Sequence, residues 1–385
     1  MSELSQRHGN DSSVPTGTEA ELGSVLVADD AGTIVATRPR RRVLRWMAGG
    51  VLFAAGVGFV TIPLPYYVYS PGQATATEPL ITVSGHDSFD PEGHILFTTV
   101  TQSEATPFLL TRAWLDDFRD VRKREDVIPA GDEEKERKIN QQLMDESKRT
   151  ALVVAFDVLG HPLEVSGQGA FIDALSDDLP ARNFVKQGDV IVSIDGQQVG
   201  TVEDVTNLLA NRQAAEEVRV GLRSSTNDQA YEVTIPLGSN PQDTSRGYLG
   251  VALSTFREKV DLPFDIEFDS GEVLGPSAGL AWTLGLVDRL TPGDLSGGRI
   301  VAVTGTIDAA GDVGPIGGIA QKVLGAKSEG ATIFLYPNET SAKDVSELRK
   351  AAGDSIELYP VGSIQDAIKV LAPQGLGEFT ISEEK

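Results

Sequence analysis

A serine lies at the predicted start of a helix in the last third of the chain. The segment Gly275-Pro276-Ser277-Ala278-Gly279-Leu280 runs into AWTLGLVDRL, whose apolar residues recur at helical spacing. Free backbone N–H groups at a helix N-terminus can stabilise an oxyanion beside such a serine, so Ser277 is a candidate nucleophile. Serine is also a preferred N-cap residue, and for this segment alone a purely structural helix start is the more common explanation.

A serine nucleophile needs a base to remove its proton, and the usual base is histidine. The histidines of the chain are His8, His86, His94 and His161. A Ser–His–Asp triad built within the C-terminal part is therefore excluded, and the base must be a carboxylate or a lysine. Lys322 and Lys327 both lie near apolar residues of a helix predicted from Ile319, and helical spacing does not choose between them.

Strands and helices alternate around these residues. Residues 300–304 are a predicted strand that ends at Gly305, residues 308–313 resemble a hairpin, and residues 331–336 (ATIFLY) form the next strand. Further upstream, residues 79–85 and 94–101 are two predicted strands, and the pattern from 104 to 155 is helical with a charged, solvated run. We therefore expect a β and helical region over residues 66–155.

A compact unit follows between residues 156 and 238. Its order is a short apolar strand, a turn at Gly188-Asp189, a strand over 190–194, a tight turn at Asp195-Gly196, a helix over 202–209 and closing strands. This order and the residues QGDVIVSIDGQQV resemble a PDZ domain. The resemblance implies that a C-terminal peptide adds as a strand beside an exposed edge, with a backbone nest for its carboxylate near Leu159, Gly160 and His161. Residues 239–247 are a predicted linker.

Near the N-terminus, a cluster of arginines precedes an uncharged segment. Arg38, Arg40, Arg41, Arg42 and Arg45 come before residues 46–64, and about 20 such residues span a bilayer as one helix. Because no Lys or Arg occurs between this segment and Arg112, the positive-inside rule predicts a cytoplasmic N-terminus. We expect a disordered cytoplasmic tail (1–42), a single transmembrane signal anchor (43–65) and an extracytoplasmic remainder. A buried core helix, or a signal peptide cleaved after Ala74-Thr75-Ala76, are the alternatives.

The net charge and the absence of cysteine exclude some classes of function. The 385-residue chain carries a formal net charge of −23, which argues against a nucleic-acid partner because a polyanion is held by clustered Lys and Arg. There is no cysteine, hence no thiol nucleophile, disulfide or thiolate metal site, which suits an oxidising compartment. We expect neither a cofactor nor a metal.

Two separated motifs together resemble the proteolytic domain of Lon-type proteases over residues 247–372. They are GPSAGLAWTLGLVDRLT and AVTGTIDAAGDVGPIGGIAQKVLGAKSEGATIFLYP. The resemblance implies that Ser277 is the nucleophile, that Lys322 rather than Lys327 is the base, and that Thr304 orients the lysine. Gly275, Pro276 and Ala278 would support the serine. Leu274 stands where an acidic or polar residue is usual in ATPase-bearing relatives, and Glu272 and Asp269 are the nearest acids.

A lysine must be neutral to act as a base, which requires its pKa to fall by roughly three units from about 10.4, or about 4 kcal/mol. An apolar pocket can supply this fall, because it disfavours the ammonium. Ile316, Ile319 and Val323 would be suitable walls around Lys322.

The whole order resembles the bacterial membrane-anchored, PDZ-containing Lon-like proteins, so we expect an α+β multidomain chain with an N-terminal transmembrane helix, a PDZ-like β domain and a Lon-type α/β domain. No G-x-x-x-x-G-K-[ST] phosphate loop occurs in the sequence. The expected function is ATP-independent extracytoplasmic cleavage of unfolded or flexible proteins, captured by their C-termini. The alternative is a catalytically silent PDZ adaptor or scaffold. Ring assemblies are common among Lon relatives, so a homo-oligomer is expected here by analogy alone.

Overall fold

The structure is a computed structural model that describes residues 40–128, 133–176, 179–224, 227, 229–240 and 243–381. Residues 1–39, most of the predicted cytoplasmic tail, lie outside the described residues. The chain divides into two units, Met1–Ile62 with Thr106–Phe108, and Pro63–Ala105 with Leu109–Lys385.

The helices of the described residues alternate in sequence with short strands. In chain order they are α1 (Arg40–Thr61), α2 (Pro107–Leu115), α3 (Arg124–Val127), α4 (Glu133–Val158), α5 (Val202–Leu209), α6 (Gly279–Leu290), α7 (Ile319–Ser328), α8 (Ala342–Ala352) and α9 (Ile364–Leu371). Two 3₁₀ turns cover Glu78–Leu80 and Pro180–Asn183.

The strands, again in chain order, are β1 (Tyr66–Ala76), β2 (Ile81–Ser84), β3 (His94–Glu104), β4 (Asp120–Lys123), β5 (Val165–Ser166), β6 (Ala170–Leu175), β7 (Asp189–Ile194), β8 (Gln197–Gln198), β9 (Glu217–Ser224), β10 (Ala230–Pro236), β11 (Gly238–Ser239), β12 (Gly247–Tyr248), β13 (Val251–Thr255), β14 (Lys259–Val260), β15 (Asp265–Phe268), β16 (Ile300–Val303), β17 (Thr306–Ile307), β18 (Val313–Gly314), β19 (Ile333–Pro337) and β20 (Glu357–Val361).

In the first unit, α1 contains an apolar stretch that is long enough to cross a bilayer. The 18 residues Leu44–Thr61 have a mean hydropathy of 1.4, and none of them is buried. A core helix would bury such side chains, so the exposure is consistent with the predicted anchor and not with a buried core helix.

The second unit is built on a six-stranded sheet with the order β20-β19-β16-β3-β1-β4. The first four of these strands are parallel, and β1 and β4 are antiparallel additions. Strands that precede residue 124 therefore complete a sheet whose other strands follow residue 299. The predicted separate region over 66–155 is instead part of the same sheet as the C-terminal strands, because the apolar strand β16 needs a parallel neighbour on each side.

Helices cover both faces of this sheet. Val301 and Val303 of β16 belong to a core with α4, α6 and α9, whereas the intervening Ala302 belongs to a core with α7 and α8. Because alternate residues of a strand point to opposite faces, these are two helical layers on either side of the sheet. Every residue of α6 except Arg289 is buried, so this helix is a fixed support for the segment before it.

The PDZ-like sheet has the order β10-β9-β7-β6-β13. Its helix α5 covers the residues predicted, and a capping box between Thr201 and Asp204 begins it. The predicted tight turn is present, with positive φ at Asp195 and Gly196. The edge strand β13, however, follows the predicted linker, so this sheet extends past residue 247, where we expected the Lon-type domain to begin.

A two-stranded ribbon marks where the chain enters and leaves the PDZ-like sheet. Strand β5 pairs antiparallel with β14, through Val165↔Val260 and Ser166↔Lys259. Just beyond it, β15 pairs with β2 of the first half. The PDZ-like part is therefore an insertion between two halves of one α/β domain.

Candidate active site

The loop that carries Ser277 is held immediately before α6. Gly275 has φ +91°, a left-handed conformation that favours glycine. Its N–H donates to the Asn140 carbonyl at 3.0 Å, and the Pro276 carbonyl accepts from the Gly279 N–H at 3.1 Å. The backbone on both sides of the serine is thus fixed by hydrogen bonds.

Lys322 reaches the serine from α7. Its Nζ lies 2.7 Å from Ser277 Oγ and 3.0 Å from Thr304 Oγ1. Gly318, with φ +69°, precedes α7, so the lysine lies in the first turn of the helix. The two residues that the motifs single out, 45 positions apart in sequence, are in direct hydrogen-bond contact.

Burial determines the charge of this lysine. Lys322 is only 3% exposed, and the loss of solvent lowers its pKa from 10.5 to about 7. Ile319 and Val323, which flank Lys322 on α7, are buried in the core around this helix, and Ile316 packs against that core. A substantial fraction of Lys322 is therefore neutral near pH 7, as a base must be.

Thr304 connects the lysine to the serine backbone. It directly follows β16 and is fully buried, and its N–H donates to the Leu335 carbonyl at 3.0 Å. Its hydroxyl donates to the Ser277 carbonyl at 3.4 Å while accepting from Lys322. Thr304 therefore contacts both the lysine amine and the backbone of the serine.

Two backbone N–H groups beside Ser277 are available to an oxyanion. The Gly279 and Leu280 N–H groups donate to the Pro276 and Gly305 carbonyls. Those of Ser277 and Ala278 have no acceptor among the described residues. Both are at the N-terminus of α6, where the helix dipole favours negative charge.

A cleft of about 1080 Å³ opens over these groups, and both Ser277 and Lys322 line it. Residues 98–102 of β3 also line it. Strand β16 pairs with β3 only as far as Val303↔Phe97, so beyond Phe97 this edge of β3 has no strand beside it in the described chain. An extended peptide could add to the open edge.

The remaining candidates make no hydrogen bond to the dyad within the described residues. Lys327 donates to the Ala352 carbonyl at 3.1 Å. Asp269 accepts from the Gly271 N–H at 2.9 Å, which uses it in a local turn. Glu272 lines the cleft with Leu274, but within the described residues it makes no hydrogen bond to the dyad. Thr304, and neither of these acids, is hydrogen-bonded to Lys322 in the described residues.

Two contacts of α4 escaped the sequence analysis. Besides the Asn140 carbonyl, the Ser147 hydroxyl donates to the Pro276 carbonyl at 3.2 Å. Ser147 lies seven residues after Asn140, and therefore two turns along the same helix face. The Asn140 contact is made by its backbone carbonyl, so the residue type at position 140 gives no signal of it, and the Ser147 hydroxyl lies in a run of charged residues that does not distinguish it.

The structure corrects the predicted position of the peptide nest. Leu159, Gly160 and His161 directly follow α4, and their N–H groups already donate to carbonyls of that helix. Leu159 packs against the core of the α/β domain, and the centroids of the His161 and Phe379 rings are 5.2 Å apart. The open edge of the PDZ-like sheet beside α5 is β13, where the Val202 N–H donates to Thr255 Oγ1 at 3.2 Å.

The fold and the dyad define the class of the C-terminal domain, a Lon-type serine protease domain. Residues 263–373 match the family model described as "Lon protease (S16) C-terminal proteolytic domain", and residues 157–235 match the PDZ domain model. The chain therefore contains a Lon-type proteolytic domain and a PDZ domain.

Curated relatives agree over the C-terminal part. The Lon protease of Elusimicrobium minutum is 35% identical over 124 residues, which are 32% of this chain and 15% of that protein. The Lon protease of Chloroflexus aggregans is 38% identical over 95 residues, which are 25% of this chain and 11% of that protein. The chain thus spans only a small part of the length of these relatives.

Among solved structures, the PDZ domain of the SdrC-like protein from Listeria monocytogenes is 21% identical, with a TM-score of 0.21. The match covers 23% of this chain and 92% of that one.

Proposed function

We propose that this chain is an endopeptidase in which Ser277 is the nucleophile and Lys322 is the general base. The observation that carries the proposal is the 2.7 Å contact between Ser277 Oγ and the buried Nζ of Lys322. The lowered lysine pKa of about 7 supports it, because only the neutral amine can accept the serine proton.

The contacts support a complete reaction cycle. Neutral Lys322 takes the proton of Ser277 as Oγ attacks the peptide carbonyl, and the oxyanion accepts from the Ser277 and Ala278 N–H groups. The lysine ammonium then protonates the leaving amine as the C–N bond breaks. Water hydrolyses the acyl-serine, with the lysine again as base. The Thr304 hydroxyl accepts a hydrogen bond from Lys322 Nζ throughout, and whenever the amine is neutral this contact directs its lone pair toward Ser277 Oγ.

Extended chains are the proposed substrates. The open edge of β3 lies in the cleft, and strand addition there places a peptide backbone beside the nucleophile. A folded substrate does not offer such a free strand, so unfolded or flexible proteins are favoured. The PDZ domain captures their C-termini at the edge of β13, and the β5–β14 ribbon ties that domain to the catalytic one.

The chain acts outside the cytoplasm, anchored by α1 with its N-terminus inside. The apolar stretch Leu44–Thr61 and the arginines before it support this orientation. Catalysis proceeds without ATP. The geometry of the site supports ATP independence. The Ser277–Lys322 contact and the unbonded N–H groups of Ser277 and Ala278 are already in place, so no nucleotide-driven rearrangement is needed to form them.

The test is digestion of an unfolded protein by the purified full chain without nucleotide. We expect cleavage by the wild type and none by Ser277→Ala, with no change on adding ATP and Mg²⁺. Equal cleavage by both proteins would overturn the proposal, and cleavage only with ATP would overturn ATP independence.

A further inference from the structure

Helix α2 exposes apolar side chains to an unusual degree. Trp114 is 85% exposed and Leu115 is 74% exposed, and Phe108 on the same helix is also exposed. After Ile62, every other large apolar side chain that the structure describes is 40% exposed or less. Single exposed apolar residues are ordinary, but three on one nine-residue helix suggest a surface that something covers.

The inner face of α2 is already used. Ala113 is buried in a small core with Val68 of β1. Phe108 and Leu115 are seven residues apart, so they lie two turns apart on one side of the helix, and Trp114 flanks them. The exposed side chains therefore cannot turn inward without breaking the existing core.

The residues just before α2 are hydrogen-bonded to the residues that follow the apolar span in sequence. The Leu64 N–H donates to the Ala105 carbonyl at 2.8 Å, and the Ala105 N–H donates to the Tyr66 carbonyl at 2.9 Å. Leu64 follows Thr61, the last residue of α1, by only three residues, which span at most about 11 Å. Within the first unit, the Phe59 and Phe108 rings meet edge to face with centroids 6.3 Å apart.

We infer that α2 lies in the bilayer surface, with Phe108, Trp114 and Leu115 inserted at the boundary between headgroups and acyl chains. This inference rests on the proposed membrane anchor. Tryptophan is enriched at this depth because its ring is apolar while its N–H finds polar partners. A chain with a net charge of −23 is repelled by anionic lipids, so apolar insertion and not charge attraction holds the helix. The extracytoplasmic part thereby gains a second attachment beside α1.

The cysteine-free sequence allows a direct test with single labels. The full chain, with a fluorophore at Leu115→Cys, is reconstituted into phosphatidylcholine vesicles and exposed either to lipid-borne nitroxide or to aqueous iodide. Val57→Cys within α1 reports the anchor. Phe184→Cys, at a 38% exposed apolar residue of the PDZ domain, is the matched control.

We expect the fraction of fluorescence quenched by the lipid nitroxide at position 115 to be at least roughly half of the fraction quenched at position 57, because interfacial helices lie about 5–10 Å deep. Position 184 should be quenched by iodide alone. If position 57 responds to lipid quencher while 115 responds to iodide alone, the inference fails and the anchor stands. Protection of 115 from both quenchers would indicate a protein partner and also overturn it. Absence of lipid quenching at 57 would overturn the anchor, and the inference with it.

Discussion

At the scale of single residues, the burial of Lys322 has two opposite effects. Removal from water lowers the lysine pKa to about 7, which makes the amine a base near neutral pH. The same removal from water lowers the free energy of unfolding at any pH at which the lysine is charged. Catalysis and stability should therefore depend on pH in ways that both trace to one side chain.

The first prediction concerns rate against pH. Because the neutral amine is the active form, log kcat/KM should rise with a slope near one up to about pH 7 and then level off. The measurement is initial rates on a short fluorogenic peptide across this range. A rate that is flat or falling from about pH 5 to 8 would contradict a lysine base.

The second prediction concerns stability. The pKa of Lys322 is lower in the folded than in the unfolded chain, so folding releases a proton between about pH 7 and 10.5. Lys322→Met should raise the free energy of unfolding by up to about 4 kcal/mol at pH 7 and below, with the gain shrinking as pH rises toward 10.

Lys327→Met is the matched control for this measurement, because Lys327 lies on the same helix but donates to the Ala352 carbonyl and, within the described residues, makes no hydrogen bond to the dyad. Denaturant unfolding at several pH values compares the two variants. An equal or larger gain in Lys327→Met, or a gain in Lys322→Met that grows with pH, would show that the burial argument is wrong.

At the scale of elements, the nucleophile depends on how closely α6 approaches its neighbours. A Cβ added at Gly279 would lie 2.9 Å from Ser147 Oγ, 3.0 Å from Ile307 Cγ2 and 3.1 Å from the Ile307 nitrogen. One of these contacts is to backbone, which cannot rotate away. Helix α4 and the strand β17 therefore fix the start of α6 from two sides.

We predict that Gly279→Ala destabilises the protein by about 1–3 kcal/mol, because the start of α6 must shift to admit a methyl group. Activity should fall with it, since Ser277 lies two residues away. Thermal unfolding measures the change. The control is Gly317→Ala, where an added Cβ has nothing within 4 Å. Equal melting temperatures for the two variants would refute the close-packing argument.

At the scale of the whole molecule, local features could be read from the sequence and distant pairings could not. The helix α5 was predictable because Thr201 and Asp204 cap it locally. The contact of Lys322 with Ser277 and Thr304 was predictable because all three stand in recognisable motifs. The pairing of Ile300 with His94 joins strands about two hundred positions apart, and it depends on tertiary packing. The same holds for β13, which pairs with β6 across the rest of the PDZ domain.

The peptide nest was predicted from the PDZ resemblance, and the local sequence does not exclude it. Gly160 adopts φ +79°, and a left-handed glycine serves a helix end as well as a backbone nest. The structure distinguishes the two uses, because the N–H groups of Leu159, Gly160 and His161 donate to α4 carbonyls and Leu159 packs against the α/β domain. The position of Asn140 and Ser147 against the nucleophile loop likewise depends on contacts that are remote in sequence.

The insertion of the PDZ domain predicts a separable role in capture. Because β5 and β14 are hydrogen-bonded, residues 167–258 can be replaced by a short turn. This variant should cleave a short peptide at near-normal kcat/KM and cleave an unfolded protein with a raised KM. Parallel rate measurements on both substrates decide the point. An equal loss on both would instead assign the domain a structural role.

The central claim, that Ser277 and Lys322 form one catalytic unit, is tested most directly by kcat/KM of single and double variants on one unfolded substrate. Lys322→Ala, Ser277→Ala and their combination should each lose about 10³-fold or more, with no further loss in the double variant, because a nucleophile and its base act together. Lys322→Arg should not rescue, since guanidinium keeps its proton. Lys327→Ala should stay within about threefold of the wild type. If Lys322→Ala is as active as Lys327→Ala, the dyad is contradicted.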